Sequence, residues 1–530
     1  MASKRGCCSC CSRRALIIGF AVSGTFLLLL GLLLSVGGVG SFMIKRQIEK
    51  KVQLKPGGLV FKEWKRPSVP IFMQYFVFNL TNPDEVFAGT SIPSVTQMGP
   101  YSYREIRSND VANWTKDDSV VTFMPNRTYI FDPDTSCAGC NDKDDTFVTV
   151  NIPLLAVALW IRNTNYREEQ KDCFDFIQIA ANEDGVKLFQ RKSVFELLWG
   201  YNDTFLADLV DASKLPPPFP QCPGPEGGLT DFVQLQYNNT YYGISAVNTG
   251  QSDISRLEQF TMWRGQTHLS WWSDEYANMI NGTDGTQFSP DVSKDDILYI
   301  FSPDICRSGY LRYDSEVTEK RIKLYRFTIP EEMYLSGDVY SPNKGFCVSP
   351  GCLPTGLLNV SLCQPMNPPV VMSPPHFYQS NKSLLETVNG LHPMKSAHQT
   401  LLDVEPLTGI VMRAAKRLQV NIALEPVDTF NQTSGKFKPV FLPVMFANES
   451  ALITDQKAAE FRHQVYLPIK LTEVVQYVLI ALGSLFLIEA FALLLPPNKI
   501  TKMCCGSEDD RDDAEKKPLV YKSTKVYFTS

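Results

Sequence analysis

ALIIGFAVSGTFLLLLGLLLSVGGVGSFMI at residues 15–44 and VVQYVLIALGSLFLIEAFALLL at 474–495 decide the architecture of this chain. The first carries no charged residue and the second only Glu489. At 30 and 22 residues they have the length of a helix that crosses a hydrocarbon core of roughly 30 Å. A purely soluble protein is excluded. The 530 residues divide into an N-terminal tail (1–14), a first span (15–44), one large domain (45–473), a second span (474–495) and a C-terminal tail (496–530). A cleaved signal peptide would also be apolar and would use small residues such as Gly37, Gly38, Gly40 and Ser41 at its cut. Its apolar run is only about 7–15 residues, so length favours an uncleaved anchor. Glu489, six residues before Leu495, is placed at the interface, where its carboxylate snorkels out of the hydrocarbon.

The segment between the spans holds 40 basic and 49 acidic side chains, a net of −9. It repels a polyanion on average, which excludes a nucleic-acid partner. Charge does not orient the spans: Lys4, Arg5, Arg13 and Arg14 on one flank are balanced by Lys45, Arg46, Lys50 and Lys51 on the other. Glycosylation sequons do. Asn79, Asn113, Asn126, Asn202, Asn238, Asn281, Asn359, Asn381, Asn431 and Asn448 all stand in N-x-S/T between the spans. Their position predicts a lumenal or extracellular middle and two cytosolic termini.

Fourteen cysteines follow the same division. Cys7, Cys8, Cys10, Cys11, Cys504 and Cys505 flank the spans on the cytosolic side and are palmitoylation candidates. A zinc knuckle built from the first four would need a fold that so short a tail does not supply. Cys137, Cys140, Cys173, Cys222, Cys306, Cys347, Cys352 and Cys363 fall in the oxidising compartment, an even number suited to disulfides.

Strand-like segments dominate the middle: 69–80, 146–152, 296–301, 323–329, 417–424 and 438–446 mix β-branched and aromatic residues and end in turn formers. Helical patterning is concentrated in 154–210. There Ser193 and Glu196 have capping-box spacing, which predicts a helix from 194 that buries Phe195, Leu198 and Trp199. The Pro-rich run 215–228 reads as a connector.

Catalytic motifs are absent: there is no G-x-S-x-G elbow, H-E-x-x-H, P-loop or dinucleotide fingerprint. Of five histidines, His392 and His398 lie six apart, a spacing that suits no common metal motif, and read as loop or surface residues. The expectation is a non-enzyme without cofactor or metal. A β-rich domain with 11% aromatics is suited instead to enclosing an apolar cavity, where each buried CH₂ is worth roughly 0.8 kcal/mol. The alternative is that these aromatics simply fill a core. The acidic segment 166–184 reads as a solvated helix face or as a partner-docking surface. In the docking reading Phe174, Phe176, Ile177 and Ile179 are anchors beside Lys187, Arg191 and Lys192. No histidine lies between 141 and 267, so acid-triggered release there would need carboxylates with raised pKa.

Eight segments carry a family likeness: VFNLTNPDEV (77–86), MGPYSYRE (98–105), ELLWGYND (196–203), NMINGTDG (278–285), DICRSGY (304–310), PPHFYQS (374–380), EPLTGIVMRAAKRLQVNI (405–422) and LPVMFANES (442–450). In this order the chain resembles the class B scavenger receptors, the two-span family of fatty-acid translocases, high-density-lipoprotein receptors and lysosomal integral membrane proteins. It looks closest to the lysosomal integral membrane protein branch.

The resemblance implies a mixed β/α fold. Its parts are a large antiparallel β-barrel ectodomain, an apical helical bundle formed largely by 154–210, an internal lipid tunnel, and two transmembrane helices as anchors. It implies disulfides Cys306–Cys363 and Cys347–Cys352, while the pairing of Cys137, Cys140, Cys173 and Cys222 stays open. Ala277 departs from the pattern at a place where relatives often have Cys. The implied function is a receptor that binds lipid or lipoprotein ligands and passes cholesterol, fatty acid or phospholipid through the tunnel. The alternative is a lysosomal sorting receptor that carries a soluble lumenal hydrolase. Glu515, Leu519 and Val520 in EKKPLV resemble an acidic dileucine signal read by adaptor proteins, with Val in the second apolar place. Location is then the lysosome or late endosome, or the plasma membrane. The acidic Glu183 and Asp184 before Lys187 depart from the cationic apex of relatives that bind anionic lipoproteins.

Overall fold

IFMQYFVFNL forms strand β1 (Ile71–Leu80), as its β-branched and aromatic content predicts. In this computed structural model, which describes residues 6–35, 39–163, 171–212, 231–235, 237–348, 351–364, 367–428 and 430–495, β1 is the centre of a wide sheet. It pairs on one side with β2 (Val95–Trp114), which pairs in turn with β3 (Val120–Phe131). On its other side lies the strand Val440–Leu452, followed by Val411–Leu424, Leu401–Val404, Ile322–Thr328, Arg307–Glu319 and Leu298–Ser302. Among the described residues fourteen strands share this antiparallel sheet. Two further strands, β4 (Thr146–Val150) and β5 (Phe189–Ser193), form a separate hairpin-like pair.

The two ends of the sheet are joined through one dipeptide. Phe260 N–H donates to the Gly282 carbonyl at 2.9 Å. Thr283 N–H donates to the Tyr299 carbonyl at 3.1 Å, and the Thr283 carbonyl accepts from Phe301 N–H at 2.9 Å. A Cβ on Gly282 would sit 2.2 Å from the Tyr299 carbonyl carbon, and its φ is +95°, so only glycine fits this joint. The sheet is therefore nearly closed, with an inner and an outer face. The strand expectations at 417–424 and 438–446 are too short at one end or the other. β2 and β3 escape the pattern because their polar residues, as in SNDVANW, break the apolar alternation.

Alternation along β2 and β3 assigns the faces. Ile106 and Ile130 are exposed outside, whereas Tyr103, Glu105 and Tyr129 are buried inside. The main apolar core gathers Val77 and Leu442 from the sheet, Phe147 from β4, and Leu154, Leu198 and Phe205 from the helices of 152–212. A smaller cluster around Trp263, Trp272 and Phe301 buries Ala277 beside the Cys306–Cys363 bridge.

Segment 374–400 covers the outer face. His376 and His398 stack there with ring centroids 4.3 Å apart and edge against Phe446. His398 is buried, contrary to the surface role its spacing suggested, whereas His392 of the same pair is exposed. Each buried ring accepts a backbone N–H at Nδ1, His376 from His392 at 3.0 Å and His398 from Met394 at 2.9 Å. That arrangement fits neutral imidazole. Burial, then the neighbouring His398 and His392, lower His376 to about 3. Burial and Arg417 lower His398 to about 4.

The described residues fall into two compact units, one drawn from Met1–Ile44 and His463–Ser530 and the other from Lys45–Arg462. In the first, the helix Gly6–Ser35 packs against Leu467–Leu494; both are long and apolar enough to cross a membrane. Small residues set their approach. A Cβ on Gly24 would lie 2.9 Å from the Gly483 carbonyl, and one on Gly483 would lie 2.5 Å from the Leu28 nitrogen. Phe20 edges against Phe486 at 5.5 Å, and Gln476 donates to the Leu34 carbonyl at 3.1 Å. Glu489 is exposed on its helix.

Two outcomes are expected. Gly483→Ile should lower the thermal midpoint of the full chain in detergent by several degrees, whereas Gly19→Ile, with nothing within 4 Å of its Cβ, should leave it unchanged. Because the folded-state pKa values of His376 and His398 lie below the unfolded value of about 6.5, their stability contribution is whole above that pH and is lost as pH falls toward about 4. Denaturant unfolding between pH 7 and 5 should show a loss of roughly 1 kcal/mol per histidine, allowing for screening. His398→Asn, which retains an acceptor, should flatten the profile by one histidine's share.

Candidate functional site

Ser193 ends β5 and caps the short helix Val194–Trp199. Its hydroxyl accepts from Glu196 N–H at 3.1 Å while the Glu196 carboxylate accepts from Ser193 N–H at 2.8 Å, the reciprocal pair its spacing predicts. The helix buries Val194, Leu197 and Leu198 and turns Phe195 and Trp199 the other way. Phe195, expected in the core, is exposed, with the Lys143 ammonium 5.4 Å above its ring.

Beside these two aromatics opens a cavity of about 650 Å³, walled by Tyr103 of β2, Tyr129 and Phe131 of β3, Phe195 and Trp199, with Asp142 and Asn238 at its polar edge. Trp199 stands 5.0 Å from Tyr103, 5.3 Å from Tyr129 and 6.5 Å from Tyr75; the first three rings line the cavity and Tyr75 packs behind them in the core. Burial, with the Asp142 carboxylate that its hydroxyl donates to, pushes Tyr103 far above the usual phenol range, and it stays a neutral donor. Asn238 clasps the β3 edge: its Oδ1 accepts from Tyr129 N–H at 2.8 Å and its Nδ2 donates to the Tyr129 carbonyl at 3.0 Å.

The register that sets Tyr103 against Phe131 sets Glu105 against Tyr129 and Arg107 against Arg127. Below the aromatic row, therefore, the inner face turns ionic. Glu105 Oε1 lies 2.6 Å from Arg107 Nε and 3.6 Å from Arg127 Nε. Glu449 Oε1 lies 2.8 Å from Arg107 Nη2 and 3.5 Å from Lys416 Nζ. Burial alone would raise Glu449, but Arg107, Lys416 and Arg127 outweigh it and hold the carboxyl well below its usual range. Burial would likewise lower Arg107, and Glu105 and Glu449 reverse that.

The cavity lip is the loop after β3, where Cys137 and Cys140 form a disulfide with Cα atoms 5.3 Å apart. This resolves one of the open pairings; the Cys173 side chain and Cys222 lie outside the described residues. Cys306–Cys363 and Cys347–Cys352 are bonded as the resemblance implied, with Cα separations of 6.5 and 4.5 Å.

The other predicted positions are scattered. Ile177 is 2% exposed and belongs to the core, so it is no docking anchor; Ile179 is the exposed apolar residue of that turn. Phe174 and Phe176 are half-buried against the core. Lys187 and Arg191 are exposed, Arg191 donating to Thr146 Oγ1 at 3.2 Å, and the Lys192 ammonium sits 3.4 Å over the Tyr201 ring. Burial, with Asp208, Asp203 and Glu183 nearby, raises Asp184.

Among the sequons, Asn113, Asn202, Asn381 and Asn431 are exposed, and Asn126, Asn281 and Asn359 are half-buried. Asn79 accepts from Val148 N–H at 2.8 Å, tying β1 to β4, and Asn448 donates to Gln74 at 2.9 Å. Cys7, Cys8, Cys10 and Cys11 stand in the first turns of Gly6–Ser35, with their side chains outside the described residues. Cys504, Cys505, Glu515, Leu519 and Val520 lie wholly outside them. Sequence reasoning missed Tyr103, Glu105, Arg107, Tyr129 and Arg127 as site residues; the available signal was the every-second-residue order Tyr103, Glu105, Arg107 inside YSYREIR.

Comparison with known proteins accounts for this architecture. The chain is 34% identical to lysosome membrane protein 2 of Homo sapiens over 510 residues, covering 94% of this chain and 98% of that protein. It is 33% identical to scavenger receptor class B member 1 of Cricetulus griseus over 504 residues, covering 95% and 94%. Together with two apolar helices, near its beginning and its end, these relatives make it an integral membrane protein. The CD36 family model matches residues 22–494, and with the relatives' coverage of almost the whole sequence it makes this chain a member of the CD36 family.

Proposed function

We propose that the protein is a membrane receptor of the class B scavenger type, and that its aromatic cavity takes an apolar chain on the way to the membrane. The observation that carries this reading is the 650 Å³ cavity walled by Tyr103, Tyr129, Phe131 and Trp199, within the size of pockets that bury a small apolar ligand. Ligands are lipids such as cholesterol, fatty acids or phospholipids, free or in lipoproteins, and an internal tunnel passes them on by diffusion without a reaction. The Lys45–Arg462 unit is lumenal or extracellular, carries the N-glycans, and both tails are cytosolic. The C-terminal tail engages adaptors through Glu515, Leu519 and Val520, and the six tail cysteines are acylated. Residence is in lysosomes, late endosomes or the plasma membrane, the first supported by the likeness to a lysosome membrane protein.

A second reading is a sorting receptor for a soluble lumenal hydrolase. It is favoured by the exposed Ile179 and by the raised pKa of Asp184, an acid-responsive group on the same apical segment. Recovery of a stoichiometric hydrolase at neutral pH, released on acidification, would support it.

The lipid reading is tested by reconstituting the full chain in vesicles and following transfer of cholesterol or fatty acid from donor particles. Asn141→Trp, which fills the cavity mouth from the lip, should slow transfer about fivefold with an unchanged thermal midpoint. Equal flux in both proteins would remove the cavity from the pathway.

A further inference from the structure

We propose that one proton, held between the Glu258 carboxyl, the Thr286 hydroxyl and the Asp284 carboxylate, clasps the joint at which the sheet closes, and that its loss toward alkaline pH loosens that joint. None of the three residues lines the cavity, so the joint answers to pH whatever the cavity takes.

The clasp crosses the same gap as the bond from Phe260 N–H to the Gly282 carbonyl. Glu258 stands two residues before Phe260, with its own N–H on the Asn248 carbonyl at 2.9 Å. Asp284 and Thr286 follow Gly282 on the other side. Glu258 is 3% exposed and has a left-handed φ of +58°, a conformation that a non-glycine residue keeps only where its surroundings hold it. Thr286 Oγ1 lies 2.6 Å from Asp284 Oδ1 and 3.2 Å from Glu258 Oε2.

One hydroxyl cannot serve two ionised carboxylates. It donates once, and an ionised carboxylate only accepts, so one contact would lack a hydrogen while two like charges shared a buried place. Protonated Glu258 completes the chain: its O–H donates to Thr286 Oγ1, whose own hydrogen goes to Asp284. Asp284 is the ionised end, because its Oδ1 also accepts from Thr286 N–H at 2.9 Å. Among the described residues Glu258 has no ion pair that would neutralise it instead. Lys416 gives its ammonium to the Asp284 carbonyl at 2.7 Å and stands 3.5 Å from Glu449. Glu405 accepts from the Thr408 hydroxyl at 2.6 Å, and Asp253 and Arg256 are exposed on the turn before Glu258. Burial first, then the Asp284 charge, raise the Glu258 carboxyl well above its ordinary value. Against an unfolded value of about 4.3, its stability contribution is whole below that pH and is lost as pH rises through the raised folded value. That direction is opposite to the one set by His376 and His398.

The test is a pH titration of the full chain in detergent micelles, read by infrared difference spectra and by backbone hydrogen exchange. A protonated-carboxyl stretch should persist at about pH 6, where a free glutamic acid is ionised, and fade before about pH 9. It should disappear in Glu258→Gln, whose amide can donate to Thr286 in place of the proton. As the stretch fades, protection of the Phe260, Thr283 and Phe301 amides, corrected for the intrinsic effect of pH, should fall about tenfold in the unaltered protein and stay level in Glu258→Gln. Peptides from β1 should change in neither. Absence of the stretch at about pH 6 in the unaltered protein, a measurement that needs no variant to fold, would overturn the proposal. So would a stretch that survives Glu258→Gln, one that persists undiminished to about pH 9, joint protection that stays level as the stretch fades, or an equal loss from the β1 peptides.

Discussion

Charges shut inside a closed sheet have to neutralise one another, and this requirement organises the larger unit. Removing an ion from water costs several kcal/mol even after relaxation, so a buried carboxylate is tolerated only with cations and hydrogen bonds around it. Glu105 and Glu449 meet that condition through Arg107, which touches both, across β1. Arg107 thereby ties β2 to the strand Val440–Leu452, two elements more than 300 residues apart in the chain. Such a network contributes little net stability over an apolar equivalent, but a shift of one residue in register would turn its members to the outer face.

The same sheet is finished differently outside. There the strands around β1 are covered by segment 374–400, with neutral histidines, Phe446 and the amides of Gln419 and Asn421 sharing the contact. The inner face thus carries buried carboxylates with their cations, whereas under segment 374–400 the outer face carries neutral polar groups and the Arg417 guanidinium, which donates to the Gln399 carbonyl at 2.7 Å. Trp199 and its tyrosine neighbours mark the boundary where the inner lining changes from aromatic to ionic.

Much of this is legible in the order of the amino acids. The spans announce themselves by length and lack of charge, β1 by its residues, and the helix at 194 by Ser193 and Glu196. Convergence is not legible there. Tyr75, Tyr103, Tyr129 and Trp199 meet only because three strands and a helix are brought together, and no local pattern encodes that meeting. Phe195 looks like core on helical periodicity, yet the face it occupies looks onto a cavity. His398 looks superficial on spacing, yet a loop folded over a sheet buries whatever lies beneath it. Gly282 stands out only as part of a family motif; its physical role, closure of the sheet, appears once Tyr299 is seen against it.

The three disulfides among the described residues differ greatly in leverage. Cys137–Cys140 closes a ring of a few residues, and its loop is also held by Cys137 N–H on the Pro100 carbonyl and by the Tyr101 and Tyr103 hydroxyls on Asp145 and Asp142. Cys306–Cys363 spans 57 residues, for which loop closure is worth about 4 kcal/mol against about 2 for the short ring. Loss of the Cys306–Cys363 bridge would therefore slacken the part of the sheet that carries it, whereas loss of Cys137–Cys140 would leave the rim of the cavity held by its hydrogen bonds.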